Sequence, residues 1–369
     1  MNIFIKLVLQ LFVLLLSTTI SAQLTTPELV DGVRFNEYNS LPQYNKTKKS
    51  NPSYFQGNKE RKNYFEGWYF KMVSADGQSI LSVIPGISLS TTGEEQHAFI
   101  QVINGKTGST SYHTFAITDF SFSTQEFAIK IGENYFSENR VILNIDDKAG
   151  SLIGDITMVN QIPYSDRKRG KKRIMGWYGK LSFLECYHGV VSLTHHLKGQ
   201  LHGDDRVYQF DSGKGYIEKD WGSSMPSAWI WIQSNNFENP ETSFMISIAN
   251  VPLKKKSFNG YLGFFYYQDR VYRFGTYTRS KLKLEVIDEN TVKIEIKNQN
   301  ETLNIKAKRN QIGLLQAPVE GNMERRIPES IDAEIEINLR DKKGNLLYSD
   351  KSNITGFELV GDIEGLIDN

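Results

Sequence analysis

The sequence predicts an all-β protein built of antiparallel sheets that close into two barrels in tandem. Three observations carry this. Short runs rich in Val, Ile, Phe and Tyr recur from Gly67 to Leu339, separated by turn residues such as Asp76-Gly77, Asn104-Gly105-Lys106 and Lys148-Ala149-Gly150. Strict apolar/polar alternation marks VKIEIK at 292–297 and AEIEINL at 333–339, as in sheets with one wet face. No segment keeps a helical period beyond two turns. Closure follows because so many open strands would present unpaired edges.

The elements follow in chain order. The start, MNIFIKLVLQLFVLLLSTTISAQ, has a lone Lys6, an apolar run broken by Gln10, and small residues ending at Ala22. This is the order of a signal peptide over residues 1–22, and the protein is expected to be exported through the secretory pathway. A retained anchor is the competing reading, but the unbroken apolar core is short for a bilayer span. Residues 23–62 are rich in Asn, Ser, Pro, Tyr and Lys without a period, an extended lead-in. A first barrel is expected over 63–205 and a second over 206–369. A weak internal repeat supports two: FEGWYFKMVSADGQSILSVIPGIS and PSAWIWIQSNNFENPETSFMISIANVP each give a Trp-aromatic strand, a polar turn and an apolar strand.

Composition narrows the partners. The 369 residues are 39% hydrophobic and 23% charged, which excludes disorder as a default. Lys plus Arg, 43, balance Asp plus Glu, 42, so no global charge steers the chain toward nucleic acid, and none is expected as a partner. The one basic block, SDRKRGKKR at 165–173, would allow peripheral contact with an anionic membrane. The plainer reading is a solvated loop before a Gly176-Trp177-Tyr178 strand. A single cysteine, Cys186, makes no internal disulfide, and a monomer held by its core is expected. Asn45, Asn300 and Asn353 open glycosylation sequons that matter only in a glycosylating host.

The chemistry concentrates in GYIEKDWGSSMPSAWIWIQ, Gly215 to Gln233, where Glu218 and Asp220 precede Trp221, Trp229 and Trp231 in a chain with five tryptophans. On a strand Glu218 and Asp220 share one face, with Lys219 and Trp221 on the other. Two carboxyls that close cannot both ionise cheaply in a dry site, and a neutral one is a general acid. The bland alternative is a surface ladder neutralised by Lys219 and an arginine. Glu66, in NYFEGWYFK, is the other acid among aromatics, either raised in pKa by burial or simply receiving backbone amides. SFLECYHGVVSLTHHLKG groups Glu185, Cys186, His188, His195 and His196, but matches no zinc spacing. No metal is expected there. No nucleophile elbow, phosphate loop or dinucleotide fingerprint occurs.

These segments, with GWYGKLSFLECYHGVVSLTHHLKG at 176–199, resemble the tocopherol cyclase family, whose wider relatives include carotenoid hydratases and lipocalin-like pericyclases. The resemblance implies two lipocalin-like barrels and a cofactor-free closure of a chromanol ring on a hydrophobic prenylated substrate. A phenol hydroxyl adds there to a prenyl alkene through a carbocation. It carries over Glu66, Trp68, His188, His196, Glu218, Trp221, Trp229, Trp231 and Gln233, and Tyr178 is a further expected substrate-binding residue. Glu218 or Asp220 is then the expected acid, a histidine or Glu66 the proton acceptor, and the aromatic residues the pocket wall. Asp220 stands where the family commonly has Asn, which leaves open which group donates. An isoprenoid hydratase and a lipid carrier are the alternatives.

Overall fold

Alternation in the sequence becomes alternation in space. In the strand Thr291–Lys297, Val292, Ile294 and Ile296 are buried while Lys293, Glu295 and Lys297 face solvent. The computed structural model describes residues 33–38, 48, 51–92, 95–164, 173–204, 206–253 and 256–367. The expected signal peptide, much of the lead-in including Asn45, and the basic block up to Lys172 lie outside the described residues.

The described strands form two antiparallel sheets, of thirteen and ten strands. The first opens with Tyr64–Val73, Ile80–Leu89, His97–Asn104 and Thr110–Ala116, then makes a 3-10 turn at Ile117–Asp119. It resumes at Phe120–Ser123 and ends at Gly213–Gly222, which pairs back onto Tyr64–Val73. The second repeats the plan. Trp229–Ser234, Ser243–Leu253, Lys256–Tyr267 and Arg270–Gly275 lead to a 3-10 turn at Thr276–Thr278, and Leu346–Val360 pairs back onto Trp229–Ser234. Each sheet thus curls around its own apolar core. The fold is all-β and lipocalin-like, and the two segments that resemble each other in sequence are the opening hairpins of the two sheets.

Three details differ from expectation. Among the described residues the ring of ladders is incomplete, since no ladder joins the strands on either side of each 3-10 turn. In the first sheet the short strand Phe35–Glu37 covers part of that edge by pairing with Phe120–Ser123. The boundary expected at 205/206 falls too early, because Val207–Gln209 and Gly213–Gly222 both pair in the first sheet and the chain crosses over between Gly222 and Trp229. The crossing is the Ser- and Pro-bearing stretch GSSMPSA at 222–228, a loop signal no different from the turns inside each sheet. Finally, Gly176-Trp177-Tyr178 is not a strand. Gly176 has φ +58°, the left-handed region, and a 3-10 turn follows at Tyr178–Lys180.

The two sheets pack face to face. Tyr69, Val73, Ile80 and Ile103 of the first meet Met245, Phe264, Leu315 and Ile331 of the second in a shared apolar cluster. Polar bonds cross the same seam: Gln101 Nε2 donates to the Gln316 carbonyl at 3.0 Å, and the Gln316 amide donates to Gln101 Oε1 at 2.8 Å. Ser243 Oγ donates to the Leu193 carbonyl at 2.6 Å. The seam fixes the sheets against each other and leaves a cavity between them.

Candidate active site

Register decides which side chains face that cavity. Directly opposed residues of an antiparallel pair share a face. In the first sheet Asp220 lies opposite both His188 and Gly67, and Glu218 opposite Tyr69, so these side chains leave on one face. In the second, Trp231 lies opposite Glu358, and Glu358 opposite Glu329. The faces enclose a cavity of about 210 Å³ whose lining is mostly apolar, with Met175, Tyr178, Phe258, Tyr261 and Ile327 among its residues.

The first-sheet wall holds an ion-paired imidazole. His188 Nδ1 is 2.8 Å from Asp220 Oδ1, and Nε2 is 3.5 Å from Glu218 Oε2 without a hydrogen-bond partner. The Tyr216 hydroxyl donates to Glu218 Oε2 at 2.6 Å. Burial pushes the imidazole toward neutrality, but the Asp220 and Glu218 carboxylates outweigh it and raise its pKa to about 10. These are the residues among those described whose donor atoms gather closely enough for a metal, within 4.8 Å. Because each ring nitrogen already faces a carboxylate, an ion there would compete with the imidazolium proton.

The second-sheet wall holds acids and indoles. Burial raises Glu329 to about 7, against the Tyr69 hydroxyl, which donates to its Oε1 at 2.6 Å, and the nearby Lys71. Glu329 Oε2 has no partner. Burial, then the Glu329 charge, holds Glu358 well above the ordinary carboxyl range, although the Trp229 indole donates to its Oε2. Trp231 meets Tyr69 edge to face at 5.3 Å, and its own Nε1 is unpartnered. It needs Gly356, where any Cβ would come 2.5 Å from the indole. Arg325 already stands over the Trp229 ring at 5.0 Å.

Six expected residues therefore line the cavity: Glu218, Asp220, His188, Tyr178, Trp229 and Trp231. The others lie elsewhere. Glu66 and Trp68 point into the first barrel, where Glu66 accepts the Gln56 and Gly57 amides at 2.8 and 2.9 Å and pairs with Lys219 Nζ at 2.5 Å. The Lys219 ammonium sits between two rings, 4.6 Å from Trp68 and 4.9 Å from Trp221. Gln233 is buried against Lys71 Nζ at 3.2 Å, and His196 is exposed. Sequence reasoning missed Glu329, Glu358 and Tyr69. The one signal for Glu358 was an acid set among the apolar residues of GFELV.

The comparisons with known proteins agree with this fold. The family model described as Tocopherol cyclase-like matches residues 148–361. A rice (Oryza sativa subsp. japonica) protein described as "Probable tocopherol cyclase, chloroplastic" is 21% identical over 209 residues, 54% of this chain and 44% of that protein. The maize (Zea mays) "Tocopherol cyclase, chloroplastic" is 28% identical over 86 residues, 23% of this chain and 18% of that one. The chain thus spans less than half the length of these curated relatives. A crystal structure of a Nitrosomonas europaea protein superposes with a TM-score of 0.50 at 12% identity, covering 81% of this chain and 93% of that one, and shows the shared fold. Since the family model spans more than half of it, the chain belongs to the tocopherol cyclase-like family.

Proposed function

We propose that this protein is a cyclase that closes an oxygen ring on a prenylated phenol by acid-catalysed addition of the hydroxyl to a prenyl-chain alkene. The observation that carries the reading is the cavity itself, an apolar space with a carboxylate–imidazolium–carboxylate group on one wall and indoles beside protonatable acids on the other. The family membership supports the same reaction class.

The steps follow from what each wall offers. Protonating a trisubstituted alkene forms one C–H bond and leaves a tertiary cation. An indole face stabilises such a cation by about 0.5–2 kcal/mol. Trp231 is the better placed, because Arg325 already stands over Trp229. The imidazolium of His188 orients the phenol oxygen through Nε2, and the Glu218 or Asp220 carboxylate takes the phenol proton as the C–O bond forms. Atoms balance as an isomerisation. The apolar lining keeps water from the cation.

The test is incubation of the purified protein with a prenylated hydroquinone in heavy water. One deuterium in the new ring is expected. A tertiary alcohol carrying that deuterium would mean that water, not the phenol, traps the cation. Unchanged quinol without deuterium would overturn the reading.

A further inference from the structure

We infer that the proton donor is the carboxyl pair Glu329–Glu358, sharing one proton across neighbouring strands of the second sheet, and that Glu218 and Asp220 are the receiving end. The inference rests on the ring-closing reading above and names its acid.

Geometry makes the pair. Glu329 and Glu358 are directly opposed in register, and Glu358 is opposed on its other side by Trp231. Opposed side chains leave the sheet on the same face with Cβ atoms roughly 4.5–5.5 Å apart. Both line the cavity. Among the described residues neither forms an ion pair with lysine or arginine. Lys71, the nearby ammonium on the first sheet, spends its hydrogen bonds on Gln233 Oε1 at 3.2 Å and the Ile354 carbonyl at 3.1 Å. Two carboxyls so placed, with no cation between them, retain a proton at the expense of the second ionisation. Burial raises both groups, which agrees.

Glu218 and Asp220 are the opposite case. Each faces one nitrogen of the His188 ring, a positive partner that the Glu329–Glu358 pair lacks. The groups facing the pair are Tyr69 and Lys71 from one strand, His188, Glu218 and Asp220 from the first-sheet wall, and Trp229 and Trp231 beside it, with Arg325 over Trp229. In the step itself the shared carboxyl O–H bond breaks and its proton forms the C–H bond of the alkene. The phenol proton leaves through Glu218 or Asp220 to solvent, and the pair is reprotonated from solvent.

Two measurements test this together. The infrared spectrum of the parent in mildly acidic solution should show a protonated-carboxyl stretch that shifts in heavy water and vanishes in Glu329→Gln/Glu358→Gln. In the deuterium assay, Glu358→Gln should fall roughly 10²–10⁴-fold in turnover while binding a saturated-chain quinol as the parent does. Glu329→Gln, which removes the charge that raises Glu358, should move the loss of activity to lower pH. Thermal melts confirm that each variant folds. An active parent whose Glu358→Gln and double variants are equally fast, or whose spectrum lacks the band, overturns the inference and leaves the cyclase reading standing. A parent without turnover overturns that reading instead, and the donor role with it.

Discussion

Two places in this molecule set carboxylates beside indoles, and they do opposite things. In the first barrel Glu66, Trp68 and Trp221 surround the ammonium of Lys219, a cation the chain supplies itself. At the seam between the sheets Glu329, Glu358, Trp229 and Trp231 border a cavity; among the described residues neither acid forms an ion pair, and Arg325 stands over Trp229. The two sheets share one plan, and Trp68 and Trp231 both sit on the strand that opens a sheet. The first cluster is a finished structural joint, pinning the segment from Ser53 to Gly57 through Trp68 Nε1 and the Glu66 carboxylate. In the second, Arg325 stands over Trp229, and on the proposed function the Trp231 face is left to the substrate cation. On the proposed function, acid next to tryptophan is a functional signal where the acids have no positive partner in the fold.

The largest effect is expected at His188, which faces the second cluster across the cavity. His188→Gln leaves Glu218 and Asp220 crowded without their cation, and turnover should fall roughly 10²–10⁴-fold. Steady-state rates with a prenylated hydroquinone measure it, and parental activity would remove the first-sheet wall from the chemistry. At the first cluster the loss should be in stability. Lys219→Met strands the fully buried Glu66 charge and should cost about 3–5 kcal/mol in urea unfolding, while turnover per folded molecule holds. A stable Lys219→Met protein would show that the amides of Gln56 and Gly57 satisfy Glu66 unaided.

The clusters should also answer pH with opposite signs. Glu329 is raised from 4.5 to about 7, so between those values the folded chain keeps a proton that the unfolded chain has lost, and stability falls as pH rises through that window. Lys219 is lowered from 10.5 to about 8 by burial, against Glu66, so between those values the unfolded chain binds the extra proton and stability rises with pH. Denaturation midpoints across pH check both: Glu329→Gln should flatten the lower window and Lys219→Met the upper one. His188 adds a fall between 6.5 and about 10, so the upper window is read as the difference between parent and variant.

A smaller effect separates the indoles. Trp231→Phe keeps a ring against the cavity but weakens the face offered to a cation, and should slow turnover about tenfold with little loss of stability. Trp68→Phe should do the reverse, because its indole donates to the Ser53 carbonyl at 2.8 Å and packs against Phe127 inside the barrel. Equal kinetic losses in the two variants would erase the distinction between structural and functional cluster.

How far this was legible in the sequence follows from what register does. Strand identity was local, as in VKIEIK, where alternation decides burial residue by residue. The shared face of Glu218 and Asp220 was local too, since two positions along one strand suffice. Glu329 and Glu358 are far apart in the chain and become neighbours only when Asn322–Asp341 pairs with Leu346–Val360, a ladder with several register shifts that no spacing rule anticipates. Glu66 misled for the matching reason. Its sequence neighbours are aromatic, yet the odd-numbered positions Gly67 and Tyr69 face the cavity while Glu66 and Trp68 turn inward.

The same parity gives the smallest expected effect, at His196. The resemblance carried it over as a proton acceptor, and it lies one residue from the buried His195. Neighbours on a strand point to opposite faces, so burying one exposes the other. His195 bonds Ser192 through Nδ1 at 2.9 Å, and burial lowers it to about 3, while His196 faces solvent between Val159 and Lys214 on its two neighbouring strands. His196→Gln should change stability by no more than about 0.5 kcal/mol and leave turnover at the parental rate. A large kinetic loss in that variant would require the outer face of Cys186–Gly203 to take part in catalysis, and would move the reaction out of the cavity between the sheets.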